Sequence, residues 1–237
     1  MTPSLDIARI QAVLFDIDGT LADTDDDYTD RLIHLLERIP FLSSRREPHD
    51  LAREIITRTE TPANFIKAWL DRLYIDEAIG SISDHWHRQR GGDHHNQLTL
   101  LDGISDMLDR LKGRYPLAVV TARERRSSLS FLKYYNLSHY FECVVTARST
   151  LRSKPHPAPI LHAARLLNVP VENCVMIGDT TVDMRSSRAA GSQSIGVLCG
   201  FGQQEELLRS GAAILLENTH EVADLLMPDS VSLRQLH

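Results

Sequence analysis

Short runs of consecutive apolar residues recur along the chain and are typical of buried strands. They lie at 12–15, 117–121, 143–146, 175–177, 194–198 and 213–216. Because successive rather than alternate positions are apolar, we expect both faces of each strand to be covered. The pattern therefore predicts a parallel sheet with helices on both sides.

Helical periodicity fills the intervals between these runs. Apolar residues recur at three- and four-residue spacings over 104–111, and Gly113 follows as a stop signal. Further helices are predicted from residue 125 to 135, after the proline-rich stretch that ends at residue 159, and over 182–190. The alternation of strands and helices predicts βαβ units and an α/β fold with a Rossmann-like parallel sheet.

One segment interrupts this alternation. Residues 22–98 contain no run that predicts a strand, but they contain several amphipathic helical stretches. We therefore predict a core formed by residues 1–21 and 99–237, with residues 22–98 inserted as an α-helical domain. The acidic residues between positions 23 and 30 are interpreted as a solvated hinge, because carboxylates favour helix N-termini.

Composition narrows the classes of function. The 237 residues carry a net charge of −6, whereas a general nucleic-acid-binding protein needs a basic surface. No apolar run approaches the roughly 18 residues of a membrane helix, and the first residues lack the pattern of a signal peptide. The three cysteines match no zinc-binding spacing. We expect a cytoplasmic protein with no nucleic-acid or membrane partner, and nothing in the pattern indicates an oligomeric state.

Carboxylates follow two of the predicted strands at the point where each strand ends. Asp16 and Asp18 follow the first strand, and Asp179 and Asp183 follow the strand at 175–177. Taken separately, these residues also suit turns and helix starts. The carboxyl ends of parallel strands, however, lie at one edge of a sheet, where α/β proteins bind ligands. Four converging carboxylates would repel one another without a cation, and hard oxygen ligands favour Mg²⁺.

Two other strand ends carry groups that could bind phosphate. Thr121 offers a hydroxyl followed by backbone N–H groups, although it equally suits the cap of the next helix. Lys154, beside Pro155, is either ordinary solvated surface or a fixed cation near the carboxylates. The sequence by itself leaves these alternatives open.

Together these segments resemble the four signature motifs of the haloacid dehalogenase (HAD) superfamily. They are DIDGT at 16–20, Thr121, Lys154 and GDTTVD at 178–183, in the order of the family. The insertion resembles the family's C1-type helical cap, and the glycines within 196–202 are similar to those of phosphoglycolate-phosphatase-like members. The resemblance implies a Mg²⁺-dependent phosphatase that acts on a small phosphorylated metabolite, such as phosphoglycolate or a sugar phosphate.

The resemblance also implies a role for each catalytic residue. Asp16 would attack phosphorus and form an aspartyl phosphate. Asp18 would protonate the leaving group and then activate water. Thr121 and the backbone N–H of Ala122 would bind the phosphoryl group, and Lys154 would neutralise its charge.

The implied metal ligands are the carboxylates of Asp16 and Asp179 and the backbone carbonyl of Asp18. Asp183 would hold a metal-bound water or orient Lys154. These assignments come from the resemblance and are expectations about this chain.

Two other functions stay open. Sugar-phosphate mutases share the core, but they typically carry a histidine near the position of Tyr28 and an acidic residue where Gly178 stands. A catalytically silent binding module is expected to lack at least one polar motif residue, and all six are present here. A sensor with slow phosphatase activity is indistinguishable from an enzyme by sequence.

Overall fold

The computed structural model describes residues 4–23 and 98–227, which belong to one structural unit. Its strands are β1 (Ala12–Phe15), β2 (Ala22–Asp23), β3 (Thr99–Leu100), β4 (Leu117–Val120), β5 (Phe141–Val145), β6 (Cys174–Gly178), β7 (Gln193–Val197) and β8 (Ile214–Leu216). Six of them form a parallel sheet in the order β5-β4-β1-β6-β7-β8. The predicted parallel α/β sheet is confirmed.

Helices cover both faces of this sheet. They are α1 (Ile104–Leu111), α2 (Arg125–Tyr134), α3 (Ala158–Leu166), α4 (Thr181–Ala190), α5 (Gln204–Ser210) and α6 (Val222–Leu226). Side chains of α1, α2 and α6 pack with Val13 and Phe15 of β1, whereas α3 packs with Leu14. All four residues of β1 are buried because successive side chains point to opposite, covered faces. No helix among residues 4–23 and 98–227 has the length and apolar character to cross a membrane.

The strand order places a crevice beside β1. From β1 the chain proceeds outward to β4 and β5, then returns to β6 on the other side of β1 and continues to β7 and β8. Phe15 of β1 is in register with both Val119 of β4 and Ile177 of β6, so these three strands end within one residue of the same level. Open α/β sheets bind ligands where the strand order reverses, outside the carboxyl ends of the strands.

A small antiparallel ribbon differs from the sequence-based expectation. Ala22 pairs with Leu100 and Asp23 pairs with Thr99, although residues 22–98 were expected to be helical. Two-residue strands are too short to produce a recognisable pattern, and their pairing partners are distant in sequence. Residues 24–97 lie outside the described part of the chain, so the inserted helical domain and its boundaries stay a prediction.

Candidate active site

Three strand ends bring the predicted site residues to one edge of the sheet. The N–H of Asp16 donates to the carbonyl of Ile177 at 3.0 Å, and the N–H of Thr121 donates to the carbonyl of Val145 at 2.9 Å. These bonds continue the strand ladders by one residue beyond β1 and β4. Asp179 directly follows β6. The residues are therefore held by the sheet itself and not by a freely moving loop.

A buried cluster of three carboxylates lies at this edge. Asp16, Asp179 and Asp183 each place one carboxylate oxygen within 4.8 Å of the others. Asp16 is 6% exposed, and Asp179 and Asp183 are fully buried. Burial, together with the charges of Asp183 and Asp16, raises the pKa of Asp179 well above its usual value. Such a cluster is unfavourable by itself and has the oxygen ligands that Mg²⁺ prefers.

Lys154 is a buried cation that contacts this cluster. Its Nζ lies 2.6 Å from Oδ1 of Asp183 and 3.1 Å from Oδ2 of Asp16, and it donates to the carbonyl of Val120 at 2.8 Å. Burial opposes the ammonium charge, but the two carboxylates outweigh it and raise the pKa of Lys154. Lys154 is therefore a fixed charge inside the site and is not solvated surface.

Asp183 combines a helix cap with a place in the cluster. Its N–H donates to Oγ1 of Thr180 at 3.4 Å, and its Oδ2 accepts from the Thr180 N–H at 3.2 Å. With Oδ1 bound to Lys154, both carboxylate oxygens of Asp183 are hydrogen-bonded. Burial raises the pKa of Asp183, although Lys154 acts in the opposite direction. Asp183 therefore caps α4 and also contacts Lys154, whereas its role in catalysis stays a prediction.

The loop after β7 encloses Asp179. Oδ2 of Asp179 accepts from the backbone N–H of Phe201 at 2.9 Å, and Oδ1 of Asp179 accepts from the Thr20 hydroxyl at 3.4 Å. A Cβ atom added to Gly19 or Gly200 would overlap the Asp179 carboxylate. Sequence reasoning gave no role to Thr20, although it belongs to the DIDGT motif, or to the Phe201 N–H. A glycine such as Gly200 is the kind of signal by which this close approach of the backbone could be found.

Asp18 is turned towards a residue that the sequence-based reasoning did not assign. The Nε–H of Arg123 donates to Oδ1 and Oδ2 of Asp18, each at 2.9 Å. The two side chains are 16% and 11% exposed. The carboxylate of Asp18 is not a member of the buried three-carboxylate cluster. The signal for Arg123 in the sequence was its position, two residues after Thr121.

Thr121 and Ala122 lie at the end of β4. Thr121 is buried, and its Oγ1 accepts the backbone N–H of Arg123 at 3.1 Å, so it does stabilise the turn before α2. The hydroxyl hydrogen remains able to donate to an anion. Ala122 is half-buried. The contacts of Thr121 thus show its role in the turn, and its role in binding phosphate stays a prediction.

The fold and these strand ends define a hydrolase of the HAD type. The sequence pattern of the haloacid dehalogenase-like hydrolase family matches residues 13–197, and the chain belongs to this family. It is similar to the pyrophosphatase PpaX of Bacillus pumilus, with 30% identity over 221 residues that cover 92% of this chain and 96% of the relative. It is also similar to the phosphoglycolate phosphatase of Neisseria meningitidis, with 27% identity over 220 residues and coverages of 87% and 88%.

A solved structure shows the same fold. The candidate β-phosphoglucomutase from Thermotoga maritima superposes with a TM-score of 0.65 at 24% identity, covering 96% of this chain and all of the other. An identity this low shows the fold alone. The family and its phosphatase relatives make this chain a HAD-family phosphatase, as the motifs imply.

Proposed function

We propose that the protein is a Mg²⁺-dependent phosphatase that hydrolyses a small phosphate monoester through an aspartyl phosphate on Asp16. The observation that carries this proposal is the position of Asp16. It lies at the end of the central strand, 3.1 Å from a buried lysine and within a cluster of three carboxylates. A charged nucleophile, a fixed cation and a cation site at one point suit phosphoryl transfer, which depends chiefly on positioning and charge stabilisation.

In the first step, a carboxylate oxygen of Asp16 attacks phosphorus and the bond to the ester oxygen breaks. Asp18 gives its proton to that departing oxygen. In the second step, water attacks the phosphorus of the aspartyl phosphate, the bond from phosphorus to the Asp16 oxygen breaks, and inorganic phosphate is released. The proton of the attacking water passes to Asp18, so Asp16 is again a carboxylate and Asp18 again a carboxylic acid. Thr121 and the Ala122 N–H bind the phosphoryl oxygens, and Lys154 balances the negative charge on them and on Asp16.

The three-carboxylate cluster fits a magnesium ion. Asp179 is fully buried among like charges, and Phe201 and Thr20 supply it with hydrogen bonds but no positive charge. We propose that Asp16 and Asp179 hold the ion through their carboxylates and Asp18 through its backbone carbonyl. Because both oxygens of Asp183 are hydrogen-bonded, we propose that Asp183 acts through a metal-bound water and through Lys154. When bound, Mg²⁺ neutralises charge that accumulates on the phosphoryl oxygens.

The surroundings of Gly178 favour a phosphatase over a sugar-phosphate mutase. A Cβ at residue 178 would lie 2.6 Å from the Cβ and Cγ of Asp183. An acidic side chain, as mutases typically carry at this position, therefore requires movement of Asp183 and of the lysine bound to it. Tyr28, near the position where mutases typically carry a histidine, lies outside the described residues.

The test is phosphate release from p-nitrophenyl phosphate, phosphoglycolate, a hexose phosphate and inorganic pyrophosphate. Pyrophosphate belongs in this panel because of the PpaX relatives. Each assay is run with Mg²⁺ and with EDTA. We expect Mg²⁺-dependent turnover that Asp16→Asn abolishes, with an unchanged circular dichroism spectrum.

Two results would contradict the proposal. Turnover by Asp16→Asn near that of the wild type would refute the nucleophile assignment. Equal turnover in EDTA, after exhaustive removal of divalent ions, would refute the metal requirement. Interconversion of hexose phosphate isomers without phosphate release would instead support the mutase alternative.

A further inference from the structure

We propose that Arg123 is a positioning residue that orients the carboxyl group of Asp18 towards the leaving group of the substrate. This inference rests on the proposed function, because it concerns the proton that Asp18 delivers. Arg123 has no place in the four motifs, and the proposal depends on its contacts in this chain alone.

The contact between the two side chains fixes an orientation. A single donor, Nε, lies 2.9 Å from both Oδ1 and Oδ2 of Asp18. A donor at the same distance from both oxygens lies beyond the end of the carboxylate and restricts where that end points, whereas a contact to one oxygen alone restricts it less. Arg123 therefore restricts the direction of the Asp18 carboxyl group.

Arg123 is itself anchored by its backbone. Its N–H donates to Oγ1 of Thr121 at 3.1 Å, and its carbonyl accepts the N–H of Ala147 at 3.0 Å. These bonds connect the residue to the end of β4 and to the residues that follow β5. The guanidinium thus extends from a fixed point of the sheet edge to a carboxylate three residues beyond the end of β1. Arginine suits this task because its planar group is more rigid than the ammonium of lysine.

Orientation of a general acid affects substrates unequally. A poor leaving group, such as an alkoxide, depends on a proton delivered as the phosphorus–oxygen bond breaks. A p-nitrophenolate ion leaves readily without that proton. If Arg123 acts through Asp18, its loss must slow alkyl phosphates more than p-nitrophenyl phosphate. A residue that merely supports the fold, or one that binds the phosphoryl group, would slow both substrates alike.

The experiment compares Arg123→Gln, Arg123→Lys and Asp18→Asn on p-nitrophenyl phosphate and on glycerol 3-phosphate as an alkyl ester. Because general acid catalysis contributes typically 10²–10⁴-fold, we expect Arg123→Gln to lower kcat on the alkyl ester about a hundredfold and on the aryl ester less than about tenfold. KM should change little, and Arg123→Lys should restore part of the lost rate. Arg148→Gln is the matched control, since Arg148 is 78% exposed in its ion pair with Glu124.

The double variant Asp18→Asn with Arg123→Gln separates action through Asp18 from independent action. We expect it to be no slower than Asp18→Asn alone, because residues that act as a unit are not additive. Equal losses on both substrates, multiplicative losses in the double variant, or a rise in KM alone would each overturn the inference. An absence of Mg²⁺-dependent turnover by the wild type would instead refute the proposed function.

Urea unfolding tests the contact without any activity. The wild type, Asp18→Asn, Arg123→Gln and their double variant form a double-variant cycle. The urea midpoint should fall for each single change because the partner side chain is left unpaired. We expect the fall in the double variant to be clearly smaller than the sum of the two single falls. Strict additivity would show that Arg123 and Asp18 do not interact in solution and would overturn the inference directly.

Discussion

Replacing Asp179 by asparagine is expected to stabilise the protein in the absence of metal while removing its response to Mg²⁺. Asp179 is fully buried, and oxygens of Asp16 and Asp183 lie within 4.8 Å. Two unit charges at that separation repel by about 3 kcal/mol at an effective dielectric constant of about 20. Lys154 offsets part of this repulsion. We expect a net gain of about 2 kcal/mol, which for a domain of this size raises Tm by about 4–8 °C.

The pKa of Asp179 determines how the stability gained by Asp179→Asn changes with pH. The pKa of Asp179 is raised in the folded state, so the folded protein binds this proton more tightly than the unfolded chain does. The stability that the proton on Asp179 contributes is complete below the ordinary pKa of about 3.9. This contribution is lost as the pH rises through the folded-state pKa of Asp179. In EDTA, the advantage of Asp179→Asn over the wild type should therefore increase with pH.

The assay is thermal unfolding followed by circular dichroism, over a pH series, in EDTA and with increasing Mg²⁺. Mg²⁺ should raise the Tm of the wild type and leave that of Asp179→Asn nearly unchanged. Asp183→Asn is the informative control. It removes a carboxylate that binds Lys154 at 2.6 Å and should lower the Tm. A lower Tm for Asp179→Asn in EDTA at neutral pH would refute the reasoning.

Two more substitutions test the buried cation and the glycine loop. Lys154→Met in EDTA should cost about 3–5 kcal/mol, because it leaves carboxylates buried without their partner. Arg110→Met, which breaks an exposed ion pair with Asp224, should cost at most about 1 kcal/mol in the same thermal assay. Gly200→Ala places a Cβ against the Asp179 carboxylate and should raise the Mg²⁺ concentration for half-maximal activity. Gly113→Ala, with open space around its Cβ, should leave that concentration unchanged.

Local patterns predicted most of the core. The spacing of apolar residues over 104–111 gave α1 at its observed bounds, because every apolar position of that helix is buried. The apolar run at 12–15 matches β1, whose burial on both faces leaves no room for polar residues. In contrast, α5 and α6 were not predicted. They are short, and α5 buries only Leu207 and Ser210.

The contacts that orient Asp18 and Asp179 could not be predicted from the sequence because they join residues far apart along the chain. Arg123 and Asp18 are 105 positions apart, and Phe201 and Asp179 are joined through a backbone N–H that any residue would offer. Neither contact leaves a pattern in a single sequence. Asp16, Thr121 and Asp179 could be recognised because each directly follows a strand, whereas the residues that orient the motif side chains are identified only by the fold.

The most direct test of the central claim is to locate the phosphoryl group during turnover. The enzyme is mixed with Mg²⁺ and a phosphate ester, quenched, and treated with borohydride, which reduces an aspartyl phosphate to homoserine. Peptide mass spectrometry then identifies the modified residue. The proposed mechanism predicts homoserine at position 16 in the wild type and none in Asp16→Asn. Reduction at another residue, or no modification at position 16 during rapid turnover, would contradict it.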